Sequence, residues 1–202
     1  MNSRYHHIVF IFFTLATIIS CGGGGGAPGS TGIGDTGIMI KSSLLSMTSP
    51  DIDTYRDCCS VDATTGSCTT LEKFTRDDAT LNVTTENATP GVTAEQFPAK
   101  IQECTISYIK SNDDPAAPII EALTIYPSCT LAEGSNTCDV TIIDIARKLQ
   151  YSNPVLVDHT IVPAHRPTHY VARMTCTYTN NFGKSGMFEA DYDLWFDDFD
   201  HC

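Results

Sequence analysis

No Cys-x-x-Cys pair occurs anywhere in the 202 residues, which removes the thioredoxin-like redox motif and the zinc ribbon, together with the Cys-x-x-Cys-His attachment motif for covalent haem. The Gly-x-Ser-x-Gly elbow of a serine hydrolase is missing too. Basic residues are scarce: 12 Lys and Arg stand against 24 Asp and Glu, a formal charge of −12 at pH 7. A nucleic-acid binder needs a basic footprint, as does attachment to anionic lipid by charge, so both classes are excluded. Long apolar runs are also absent. The longest, Ile8 to Ile19, holds about a dozen residues where a membrane-spanning helix needs ~20. Tryptophan occurs once, as Trp195.

The chain begins with a short segment whose only formal charge is Arg4, then the apolar run, then a small residue, Ser20, before Cys21. That order predicts an export signal, residues 1–20, removed on maturation. Ile18-Ile19-Ser20-Cys21 resembles the lipobox of bacterial lipoproteins. The resemblance implies a diacylglyceryl thioether on Cys21 and an amide-linked acyl chain such as palmitate. Several chains make a stable anchor where one would be reversible. The residue after the cysteine is Gly22 and not Asp, which by the same resemblance implies the outer membrane of the cell envelope.

Between Gly22 and Gly37 lie nine glycines and almost no bulky side chain. Such a tract behaves as a random coil with a reach of roughly 20–24 Å, so residues 21–37 read as a tether. Residues 38–202 are then one domain, long enough to bury a sizeable core. Apart from Cys21 that domain holds eight cysteines, an even number that in an exported chain reads as a disulfide framework.

Alternation of apolar and polar residues is the dominant period of the domain. In HYVARMTCTYT, Tyr170, Ala172, Met174, Cys176 and Tyr178 share one face, and in MFEADYDLWF so do Phe188, Ala190, Tyr192, Leu194 and Phe196. NNFGKSG between them is a turn, so the two form a hairpin. Further strands are expected at Ile38–Leu45, Ala79–Thr85, Lys100–Lys110, Ile119–Tyr126 and Thr137–Ala146, making seven, with Tyr55–Arg76 and Arg147–Thr168 as long irregular connections. Seven short strands predict an all-β, seven-stranded Greek-key sandwich. The hairpin is similar to the last two strands of fibronectin type III and immunoglobulin-like domains. The chain departs from true immunoglobulins, having no cysteine in its second strand and no tryptophan in its third. Its whole layout also resembles envelope lipoproteins that bring no activity with them.

In such a topology the third and sixth strands are antiparallel neighbours, which puts Cys104 opposite Cys176 on the apolar face. Cys129 and Cys138 flank TLAEGSNT and are expected to close that loop. One of the vicinal pair Cys58 and Cys59 is expected to take Cys68, and the other Cys202.

The same topology gathers His159, His165 and His169 at one pole with Asp197, Asp198, Asp200 and His201. Imidazoles and carboxylates are weak metal candidates here, because Pro167 breaks any helical His165/His169 pair and the aspartates lack a calcium-loop spacing. Trp195 falls on the Glu189–Asp191–Asp193 face, either covered by a loop or open to a partner. The expectation is a lipid-anchored, non-catalytic binding or structural module without cofactor. Its distal pole, with Trp195, His165 and His169, would meet an envelope protein or glycan. Two alternatives stand beside it: a metal-binding or enzymatic envelope protein using the His/Asp pole, and an accessory subunit of a surface filament or secretion assembly.

Overall fold

The computed structural model describes residues 36–55, 58–72, 75–89, 95–111, 117–152, 155–157, 160–162 and 167–199. In chain order these form β1 (Ile38–Ser46), β2 (Asp51–Asp53), β3 (Cys58–Val61), β4 (Cys68–Leu71), β5 (Asp77–Asn87), β6 (Ala99–Lys110), β7 (Leu123–Ile125), β8 (Thr130–Leu131) and β9 (Gly134–Ile143). Helix α1 (Ile145–Ser152) follows, then β10 (Val155–Val157), β11 (Thr160–Val162), β12 (Thr168–Thr179) and β13 (Ser185–Asp197).

Period-two alternation decides which faces meet. Along β12 every second residue from Thr168 to Tyr178 is buried, and β13 buries Phe188, Ala190, Leu194 and Phe196. One sheet runs β1-β5-β9, all antiparallel, and a larger one runs β2-β13-β12-β6-β7, with β8 also on β6. Ile40, Leu81 and Ile142 from the smaller sheet and Ile106, Met174 and Phe188 from the larger join one apolar core. The fold is all-β, sandwich-like, with one short helix.

The β6–β12 register sets Cys176 opposite Cys104, and the two are bridged with their Cα atoms 4.0 Å apart. Cys129 pairs with Cys138, and Cys58 with Cys68. Cys59 is also disulfide-bonded; its expected partner Cys202 and the expected lipidation site Cys21 lie outside the described residues.

Three sequence expectations need correction. The strand expected at Ile119–Tyr126 shrinks to Leu123–Ile125, because the preceding backbone is satisfied by side chains and not by a ladder: Tyr170 donates to Pro118 O (2.6 Å), Glu121 N donates to Gln150 Oε1, and Arg147 donates to Ala122 O. The strand expected at Thr137–Ala146 ends at Ile143, since Asp144 caps α1 by accepting from Arg147 N at 3.0 Å. The long connections are not irregular either. Tyr55–Arg76 holds the β3–β4 hairpin, stapled by Cys58–Cys68, while α1 reaches into Arg147–Thr168 and β10–β11 lies within it.

Where β12 turns into β13, Tyr178 lies over its register partner Gly186 and its hydroxyl is 3.1 Å from Thr36 Oγ1. A Cβ on Gly186 would stand 2.5 Å from the Tyr178 ring. Gly186→Ala is therefore expected to cost about 1–3 kcal/mol of stability by overpacking. In a double-mutant cycle by urea denaturation, most of that penalty should disappear against Tyr178→Ala. An unchanged penalty would place the strain elsewhere.

Candidate functional site

The site forms where β1 and β9 end, β5 begins and β13 ends. After β1 the chain crosses to the other sheet and runs parallel to β13, pairing Asp51 with Trp195, Ile52 with Phe196 and Asp53 with Asp197. Ile52 is fully buried beside Phe196, so alternation turns Asp51 and Asp53 to the opposite face. The crossing is fastened at both ends. Trp195 N donates to Pro50 O, and Thr54 donates to Asp197 O through both its amide and its hydroxyl, all at 2.9 Å.

Against this crossing lies a cavity of about 310 Å³ lined by Ser49, Asp51, Asp53, Thr75, Asp77, Lys148 and Phe199. Lys148, on α1, is 3% exposed and its ammonium stands 2.6 Å from the Asp77 carboxylate. Burial pushes the Asp53 carboxyl up to about 6, and the nearby Glu72 and Asp198 add to the rise. Its hydrogen bond from Tyr55 N and the Lys148 charge oppose the rise without cancelling it. Among the described residues the lining is thus acidic, with one ammonium and one aromatic side chain. Ser49 donates to Asp51 Oδ2 at 2.9 Å and accepts from Asp51 N at 3.2 Å, so the pair shapes a turn.

Next to the cavity, His169 and Trp195 face each other across the β12–β13 ladder. Their rings are 4.8 Å apart and tilted by 33°, and His169 Nε2 is 2.8 Å from Asp193 Oδ1. Trp195 is 41% exposed. Further along the same face Arg173 holds Asp191 through two hydrogen bonds of 3.0 Å.

Of the residues singled out from sequence, Trp195 and His169 are neighbours and Asp198 lies close enough to act on Asp53. His159, His165 and Asp200 lie outside the described residues. Among the described residues no three His, Cys, Asp or Glu side chains converge to hold a metal ion. Sequence reading missed Asp51, Asp53, Asp77 and Lys148. The alternation Asp51-Ile52-Asp53 carried a faint signal, whereas a lysine on the buried face of a helix carried none.

The class defined so far is an all-β, disulfide-stapled, sandwich-like domain with an acidic cavity at one pole. No protein-family model matches the sequence, and no curated protein is significantly similar to it. The solution structure of a protein described as late embryogenesis abundant (LEA) superposes over 77% of this chain and 70% of its own, with 12% identity and a TM-score of 0.35. A likeness that distant carries no conclusion about function.

Asp53 makes the site pH-sensitive in a defined direction. Its carboxyl titrates near 6 in the folded chain against an ordinary 3.8, so between those values the folded state holds a proton that the unfolded state lacks. Its contribution to stability is therefore full below about 3.8 and is lost as pH rises through about 6. Asp53→Asn should remove this contribution. Thermal melts of both proteins from pH 7.5 to 5 should show the wild-type melting temperature gaining on that of the variant as pH falls, and parallel profiles would refute the assignment.

Proposed function

We propose that this chain is a lipid-anchored module of a bacterial cell envelope, probing its surroundings with the pole that carries the acidic cavity and Trp195. Anchoring is supported by the Ile18–Cys21 motif and by the glycine tract behind it. The orientation is supported by where β1 starts. Ile38 pairs with Asn87, while Thr36 and Gly37 accept hydrogen bonds from Asn180 and Gln96, beside the β5–β6 and β12–β13 connections. A tether joining there leaves the cavity at the opposite end of strands about 30 Å long.

A seven-stranded Greek key of the fibronectin III type is part of the same reading. It is supported by the orders β1-β5-β9 and β13-β12-β6-β7, which follow the two sheets of such domains, with β2, β8 and the short hairpins as additions. The observation that carries the function is the exposed Trp195 beside a formed cavity. An aromatic side chain left in solvent and held in place by a neighbouring ring is the kind of group that anchors an interface. Among the described residues that line the cavity no imidazole stands beside the Ser49 hydroxyl, which favours binding over catalysis.

The test is in-cell crosslinking of the acylated protein with mass spectrometry of the captured peptides, beside a Cys21→Ala control. A reproducible partner joined through residues 49–53 or 195–199 is expected, and Cys21→Ala should move the protein from the membrane fraction to the soluble one. Crosslinks to abundant neighbours alone would count against a binding pole. Retention of Cys21→Ala in the membrane would count against the anchor.

A further inference from the structure

We infer that the pole recognises a basic side chain, lysine or arginine, of a protein partner: its cation enters the cavity beside Asp51 and Asp53 while the adjoining part of the partner packs on Trp195. This rests on reading the pole as a binding surface and names the chemistry it selects.

Charge complementarity points that way. Among the described residues the cavity lining carries three carboxylates, Asp51, Asp53 and Asp77, against the one ammonium of Lys148, which lies 2.6 Å from Asp77. Of the described cations nearby, Arg147 holds Asp144 and Arg76 holds Asp78, outside the cavity. Burial and the neighbouring acids Glu72 and Asp198 hold the Asp53 carboxyl well above its ordinary range, the mark of a negative charge that its surroundings do not offset. An entering cation would offset it. Convergence of three ligands is absent among the described residues, so a bare metal ion is a poor fit, whereas an ammonium or guanidinium carries its own hydrogen-bond donors.

Two apolar features match the rest of such a side chain. Phe199 forms one wall of the cavity, a surface for the methylene stem of a lysine or arginine. Trp195 is the register partner of Asp51, so its exposed ring adjoins the cavity mouth, and stacking with His169, itself held by Asp193, fixes its position. An aromatic ring at the mouth of an acidic cavity favours a cation that also presents an apolar flank.

Because Trp195 is the sole tryptophan, its fluorescence reads the site directly in the full-length acylated protein in detergent. The probes are acetyl-Gly-Leu-Lys-Leu-Gly-amide, its Arg counterpart and the same peptide with Glu at the centre. A saturable change in Trp195 emission is expected for the Lys and Arg peptides, weaker at high salt, and none for the Glu peptide. The double variant Asp51→Asn/Asp53→Asn should raise Kd at least about tenfold, a loss of 1.4 kcal/mol or more. Glu133→Gln, an exposed carboxylate remote from the cavity, should leave Kd unchanged. A thermal melt confirms that the double variant is folded. No saturable change with either cationic peptide up to millimolar concentration, or an equal Kd for the double variant, overturns the proposal. Should crosslinking capture a partner at this pole through a segment without lysine or arginine, the basic-side-chain inference falls while the binding surface stands. Failure of both experiments removes both.

Discussion

The pole depends on one crossing of the chain. Between Pro50 and Thr54 the backbone leaves the β1-β5-β9 sheet and lies parallel to the end of β13, and the fully buried Ile52 is its only apolar anchor in that stretch. Burying one isoleucine yields about 1.5–3 kcal/mol, enough to hold a three-residue strand only because hydrogen bonds to Pro50 O and Asp197 O close both of its ends. With Ile52 pointing inward, Asp51 and Asp53 have no other direction than outward. Cavity, acidity and the neighbourhood of Trp195 all follow from that choice of face.

The opposite wall is set by a short helix. Eight residues are too few to be stable alone, so α1 persists through what it touches. Asp144 caps its first turn, and Tyr151 packs its ring against both Tyr170 and Phe196, at centroid distances of 6.2 and 5.2 Å. The Tyr151 hydroxyl is the donor to both Phe196 O and Thr168 Oγ1, each 3.0 Å away, so its one proton is shared between them. Tyr151 thus fixes the helix, and one turn earlier on the same face the helix presents Lys148 to the cavity.

Legibility in the sequence follows from the same physics. β12 and β13 were readable because one of their faces is almost wholly apolar, and alternation is a strong signal when one face meets a core. The Cys104–Cys176 bridge follows from that register. α1 was unreadable for the opposite reason: Ile145 and Leu149 are about half exposed while Lys148 is buried, so the binary pattern runs against the burial. β2 escaped because three residues are too short to display a period. The cavity was invisible since its residues come from segments near 50, 75, 148 and 199, brought together only by the crossing and the helix. Trp195 was legible as an exception within a readable strand, and it is 41% exposed.

The pair of buried Lys148 and half-buried Asp77 is then best understood as part of the cavity and not as a fastening for the helix. Taking two charges out of water costs several kcal/mol, and their attraction returns little beyond that cost, so an apolar pair of similar volume would hold α1 about as well. The cap at Asp144 and the packing of Tyr151 on Tyr170 and Phe196 already supply the attachment. What an apolar pair could not supply is a polar floor with a fixed ammonium, whose charge opposes the rise that burial imposes on the Asp53 carboxyl. Among the described residues that line the cavity, this one lysine faces three carboxylates, Asp51, Asp53 and Asp77.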